Sequence, residues 1–307
     1  MWQELGETIP LVGAGIYLSL AMLEIFLDVY TKQGNYKLKD TLCSLTMGGF
    51  YTMTKVLMKG VTLFLMLLMQ QHAFFTIENS WPAFIAAYLL VDFFFYWLHR
   101  LIHEIRVGWA AHVNHHSSQE FNLGGTAMRQ SFAEPFMEAF FYGPIVLLGF
   151  DPILVLAALE LNLIYMFWVH TKRIGKLPPL FEWLFSTPSH HRVHHSCNVQ
   201  YLDKNYGGTL IVWDRLFGTF EAEDEQPVFG IPEQLDTFNP IKASLHGWIE
   251  LFRDVGRTPG ISNKFLLFVM PPGWAPDGKG CTTRQKQAAY RYEKAQAALQ
   301  ASSSKPA

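Results

Sequence analysis

Three apolar runs, about Thr8 to Asp28, Gly60 to Ile77 and Trp81 to Leu98, set the first limit on what this chain can fold into. Crossing a bilayer as a helix takes ~20 predominantly apolar residues, within a range of about 17 to 25. All three runs meet that length. Two further runs, Phe132 to Phe150 and Pro152 to Val169, are interrupted by Glu134, Glu138 and Glu160. GFDP at 149–152 reads as the tight break of a helical hairpin that dips into the membrane without fully crossing it. Thr41 to Lys59, with Lys55 and Lys59 one helical turn apart, is either an interfacial helix or the snorkelling start of the second span.

Composition agrees with a membrane protein. Hydrophobic residues make up 50%, aromatics 15% and charged residues 16%, against roughly 25% charged in soluble domains. A net charge of -2 gives no basic surface for nucleic acid. Cys43, Cys197 and Cys281 form no CxxC pair, so neither a disulfide framework nor a zinc ribbon is suggested. MWQELGETIPLVGAG has no Lys or Arg and so lacks the basic start of a cleaved signal, and its apolar run is expected to stay in the mature protein.

Lys and Arg are absent from residues 1–8, 71–80 and 150–152, whereas 30–41, 98–131 and 170–220 all carry them. The positive-inside rule puts the last two segments on the cytoplasmic face. The expected fold is an all-α integral membrane protein, with about four to five transmembrane or membrane-embedded helices and a cytoplasmic histidine-rich helical cap. Three regions are expected: membrane helices over 1–89, a catalytic region over 90–222, and a polar region over 223–307. In the last, 282–300 is a polar helix candidate, followed by an SSSKPA tail without fixed structure.

Ten of the twelve histidines fall in that middle region. WLHRLIHE carries His99 and His103, whose i, i+4 spacing puts both rings on one helix face. HVNHH carries His112, His115 and His116, and SHHRVHH repeats the H-x-x-H-H spacing with His191, His194 and His195, preceded by His190. Rings this close would repel one another if several were protonated, so a metal that binds neutral imidazole is the economical explanation. His170, in FWVHTKRIG, is a further ligand or an interfacial helix cap; His72 and His246 have no partners in sequence. Ten rings exceed what one ion needs, which points to two. Imidazole suits Fe, Zn, Cu and Ni alike. The HExxH frame of hydrolytic zinc is absent and no sulfur ligands are present. Iron at a bilayer surface, where the abundant substrates are alkyl chains, fits, because O2 activated at iron attacks C–H bonds that acid–base groups cannot.

The boxes HRLIH, HVNHH and HHRVHH resemble those of the fatty acid hydroxylase and sterol desaturase superfamily of membrane-bound di-iron oxygenases. WAAHVNHHSSQEFNLGGTAMRQS, FWVHTKRIG, TPSHHRVHH and DKNYGGTLIVWDRLFGTFEAE are most similar to its alkylglycerol monooxygenase branch. The resemblance covers roughly residues 90 to 222. It implies two iron ions held by His99, His103, His112, His115, His116, His191, His194 and His195, with His170 and His190 matching further family histidines. It also implies O2, a membrane lipid substrate and an external electron donor, which in that branch is tetrahydrobiopterin. An integral protein of the endoplasmic reticulum or a bacterial inner membrane is then expected.

Other residues have alternatives. Glu104 orients a ligating ring or pairs with Arg100 or Arg106. Asn114 hydrogen-bonds a ring or a reactant, or is a solvated amide. Asn205, Tyr206 and Gly207 read as a turn, and Trp213, Arg215, Leu216, Phe217 and Phe220 as an interfacial helix that seats the cap on lipid. A desaturase acting on a sterol or fatty chain is the alternative activity. A histidine-rich metal transporter is a minor one, whose path would need Asp92 and Glu160.

Overall fold

The computed structural model describes residues 1–303, and the regular elements among them are all helical. Helices α1 (Trp2–Thr31), α2 (Leu38–Gln70) and α3 (Trp81–Glu104) are long and apolar enough to cross a membrane. At α3 the Ser80 hydroxyl accepts from the Ala83 N–H, with Pro82 in the first turn where its missing donor costs nothing. α2 runs unbroken through Thr41 to Lys59, so that segment is the start of the second span and not a separate interfacial helix. Lys55 does not snorkel to the surface, because it meets Glu160 at 2.6 Å.

α4 (Arg106–His116) follows α3 after one extended residue, Ile105, which ends one helix and starts the next. The fourth apolar run is helical only in part: a 3-10 turn at Glu134–Phe136 precedes α5 (Glu138–Leu147). At ten residues α5 is about 15 Å long, half of a ~30 Å hydrocarbon core. α6 (Pro152–Trp168) returns from it, with the Asp151 carboxylate capping the Ile153 and Leu154 N–H groups. Gly149 makes the break between them at φ 107°, and a Cβ there would lie 2.3 Å from the Phe75 carbonyl oxygen. The core sits where α3, α5 and α6 meet, around Ala87, Val91, Ile145, Val155 and Ala158, all fully buried. Gly13 lets α1 lie against α6 at Ile164.

These helices are ordered end to end. Trp2 packs on Trp81 with ring centroids 5.2 Å apart, and the 71–80 loop is tied to the hairpin by Phe74 N–H to Leu147 O and Ile77 N–H to Gly149 O. The start of α1, the 71–80 loop and the 149–152 turn therefore share one end. The C-termini of α1, α3 and α6 and the N-terminus of α2 share the other. There Glu24 accepts hydrogen bonds from Tyr36, from the Leu123 N–H and from Thr171.

The remaining helices are α7 (Pro179–Leu184), α8 (Pro188–His194), α9 (Val212–Phe217), α10 (Pro240–Arg257), α11 (Ile261–Val269) and α12 (Thr283–Ser303). α10 packs along α4 and reaches α2. α12 takes in Ser302 and Ser303, so the first part of the tail expected to lack structure is helical; residues 304–307 lie outside the described residues.

Candidate metal centre

Each histidine box lies on a helix that ends or turns at the gathering end of the bundle. His99 and His103 lie on the last turns of α3. His112, His115 and His116 lie on α4. His190, His191 and His194 lie on α8, whose first turn is fixed by Pro188 and the Thr187 cap, and His195 follows directly. His170 follows α6.

The rings sort into two sets, and the sorting cuts across the boxes. His99, His103, His112, His116 and His194 form one group, with ligand-capable atoms all within 4.8 Å of one another; His115, His170, His191 and His195 form the other. Three of the four i, i+4 pairs stay together, His99 with His103, His112 with His116 and His191 with His195, while His190 is parted from His194. The sets touch, with the His116 and His195 rings stacked at 4.3 Å.

Which nitrogen faces inward is fixed by the backbone. The Nδ1 atoms of His99, His115, His170 and His194 lie 2.9, 2.8, 2.9 and 2.9 Å from the carbonyl oxygens of Tyr206, Arg129, Met166 and Lys204. A carbonyl only accepts, so each Nδ1 carries the proton and each Nε2 presents a lone pair. In the second set the Nε2 atoms of His170 and His115 are 3.3 Å apart, and His191 and His195 join at 2.8 and 3.1 Å. Lone pairs converging like this call for a shared electrophile. In the first set Nε2 of His103, His112, His116 and His194 is buried without a partner among the described residues. Burial lowers the pKa of His112 to about 3 and of His115 to about 4, and pushes His116, His170, His191, His194 and His195 well down. The rings are neutral at pH 7, as ligands must be, and both sets fit a transition metal that prefers nitrogen donors.

Carboxylates back two rings. His112 Nδ1 donates to Glu134 Oε1 at 2.8 Å, and Asp203 Oδ1 lies 3.5 Å from His103 Nδ1. Neither acid was picked out as a site residue from sequence; the signal for Glu134 was an acid interrupting an apolar run. Glu104 does not play the ring-orienting part, since its carboxylate takes Arg100 Nε at 3.0 Å and faces Arg284. Arg106 pairs with Asp254 instead.

His190 stands outside both sets. Its Nε2 lies 3.0 Å from Glu182 Oε2 and its Nδ1 3.3 Å from the Thr187 hydroxyl. Asn114 is buried rather than solvated, and neither end of its amide has a partner among the described residues. His72 lies in the loop at the far end, and His246 on α10 bonds the Ala243 carbonyl.

The Asn205–Gly207 segment is more than a turn. Asn205, at φ 56°, donates to the carbonyls of His190 and Glu221, while Asp214 accepts the Tyr206 and Gly207 N–H groups, which holds the Tyr206 carbonyl against His99. Asp92 anchors the same loop from α3. It accepts from the Thr209 and Leu210 N–H groups, the Trp213 indole and Asn162. Thus Asp92 and Glu160, the acids a transport path would need, are both engaged in internal pairing. Arg129 is buried with Asp40 at 2.6 Å and ties the start of α2 to the carbonyl that holds His115. A cavity of about 140 Å³ opens on the first set between His103, His116 and His194 and the C-terminal residues Cys281, Thr283 and Lys286.

Comparison with known proteins gives the same picture. Residues 84–219 match the family described as fatty acid hydroxylase. Alkylglycerol monooxygenase of Homo sapiens is 38% identical over 264 residues, 85% of this chain and 58% of the human protein. The Xenopus tropicalis enzyme is 37% identical over 263 residues, with the same two shares. An ornithine lipid hydroxylase of Rhizobium tropici is 32% identical over 145 residues, 46% of this chain and 44% of that protein. The chain thus spans little more than half the length of the curated relatives it matches, and no solved structure matches it. Residues 84–219, which contain all ten box and flanking histidines, match the fatty acid hydroxylase family and form a fatty acid hydroxylase-like region of the chain.

Proposed function

We propose that this protein is an O2-dependent, non-haem di-iron monooxygenase that hydroxylates the alkyl or acyl chain of a membrane lipid, with an ether-linked alkyl chain as first candidate. The observation that carries it is the division of nine buried imidazoles into two converging sets. His99, His103, His112, His116 and His194 would hold one iron, and His115, His170, His191 and His195 the other. Iron bound there supplies the O2 activation that cleavage of an unactivated C–H bond requires.

The chain's own residues do the rest. Backbone carbonyls keep Nδ1 protonated on four rings, so Nε2 needs no tautomer change to bind metal. Burial keeps the rings neutral. Glu134 raises the basicity of His112 by accepting its Nδ1 proton. Asn114 is assigned to a reactant, since a buried amide with no protein partner is costly unless something else pairs with it.

Hydroxylation with O2 releases water and consumes two electrons from outside the chain, and a reduced tetrahydropterin or a redox protein is the proposed donor. The Lys and Arg asymmetry supports a site on the cytoplasmic face of an endoplasmic reticulum or bacterial inner membrane. Full-length protein in vesicles containing a 1-O-alkylglycerol lipid, supplied with O2 and either tetrahydrobiopterin or a flavin reductase system, should give a +16 mass product. A -2 product would make it a desaturase; no change with either donor would contradict the proposal.

A further inference from the structure

The C-terminal region is polar on average, yet two of its helices, joined by the edge-on contact of Phe252 with Phe268, expose apolar stripes. On α10 the face toward the protein is Ala243, Ser244, Gly247 and Leu251, all buried. Gly247 rests on Ala110 and Val113 of α4, where a Cβ would come within 2.8 Å of the Ala110 carbonyl oxygen. Ile241, Ile249 and Phe252 lie on the opposite side and are more than half or about half exposed. Between the two faces runs a flank with Lys242, Arg253 and Arg257 against one acid, Glu250. α11 repeats the arrangement at i, i+4, i+8 with Ile261, Phe265 and Val269, all exposed.

Their position says what covers these stripes. Ala243 packs with Cys43 and Met47 near the start of α2, and Asp254 pairs with Arg106 just past the end of α3. α2 and α3 run antiparallel, because Met66 near the end of α2 packs in the cluster that holds Ala83 and Phe84 near the start of α3. α10 therefore bridges the ends of two spans on one side of the bundle. α2, at 33 residues, is longer than the ~20 needed to cross, and its early turns expose Leu38, Leu42 and Leu45.

We propose that α10 and α11 lie in the plane of the membrane surface, with their apolar stripes in the headgroup–acyl boundary of the bilayer that α1 to α3 cross. The basic flank of α10 faces anionic headgroups. One apolar face, one basic flank and a third face fixed to the protein is what an in-plane helix needs. The helix carrying His112, His115 and His116 is thereby held at the depth of the lipid surface through Gly247. This inference needs only the membrane-spanning character of α1 to α3 and not the identity of the metal.

The test uses full-length protein with Cys197 and Cys281 replaced by Ser, in vesicles of four parts phosphatidylcholine to one part phosphatidylglycerol. With the native Cys43 buried away from the reagent, nitroxide labels are attached to one added cysteine at a time, at Phe252, Phe265 and Ile261, and at Lys242 and Arg257. Ile261 is 83% exposed, so its replacement removes almost no packing and folding is not at issue there. Collision of each label with O2, which partitions into lipid, is compared with collision with a water-soluble nickel chelate. The O2-to-nickel ratio should be highest at Phe252, Phe265 and Ile261, and lower by severalfold at Lys242 and Arg257. Nickel-favoured collision at all three apolar positions would overturn the proposal by placing the stripes in water. Exclusion of both reagents with dipolar broadening between labels would overturn it in favour of a second copy of the chain.

Discussion

His190 and His194 lie one turn apart on α8, and the difference between them is what surrounds each ring. His194 presents to the five-histidine set a buried Nε2 with no partner among the described residues, whereas His190 is occupied by Glu182 and Thr187. His194→Ala should lose iron and all turnover with the fold kept. His190→Ala should keep its iron and lose about 1–3 kcal/mol of stability, read by metal analysis beside thermal unfolding. The H-x-x-H-H spacing of His194 and the i, i+4 spacing of His190 from it made both look like ligands, because spacing reports which face of a helix a ring is on and not what lies opposite. Thr187 ahead of Pro188 is a readable helix start, but Glu182 on α7 meets His190 only because the chain folds back between α7 and α8, where Phe185 bridges to Leu210. Glu134→Leu leaves the His112 Nδ1 proton without an acceptor and should weaken iron binding roughly 10- to 100-fold, measured by competition with a chelator. Unchanged affinity would show that the carboxylate is incidental.

At the level of elements, the three long helices were legible because lipid leaves a chain little choice, but not their bounds: the Gly60 to Ile77 run begins well inside α2 and continues seven residues past its end at Gln70. The hairpin break was legible too, since GFDP offers a glycine for a positive φ and an aspartate to cap α6. Gly149→Ala should disrupt it, through the φ of 107° and the contact with the Phe75 carbonyl, and lower the folded yield more than Gly15→Ala, where nothing lies within 4 Å. The Asp92 anchor was not legible, because its partners are 70 to 121 residues away. Asp92→Ala strands four donors and should cost about 3–5 kcal/mol. Its unfolding transition in detergent should fall well below that of Glu78→Ala, in the exposed far-end loop. α10 was missed for a different reason: its polar average hides a stripe that only a helical projection reveals.

For the whole molecule, the Lys and Arg asymmetry and the sequence of crossings correctly gathered the histidine boxes at one end, but not how they divide. Division into two sets depends on where α4 and α8 meet the ends of α3 and α6, which no local pattern encodes. Burying so many neutral rings also fixes the acid response of the metal-free protein. The unfolded chain takes up protons below the ordinary histidine pKa of 6.5, while buried His112 and His115 resist until about pH 3 and about pH 4. More protons are bound unfolded than folded in that window, so stability is complete above pH 6.5 and falls as the pH drops toward 4. Thermal unfolding of chelator-washed protein should show that decline, and a flat profile would mean the rings are not buried neutral. The central claim is two metal sites in one chain, and the most direct measurement is iron stoichiometry after anaerobic loading with Fe(II) and removal of excess metal. Close to two iron per chain is expected, falling to about one in His170→Ala, which removes a ligand of the second set alone. Saturation at one iron in the unsubstituted protein, unchanged by loss of His170, would contradict the account.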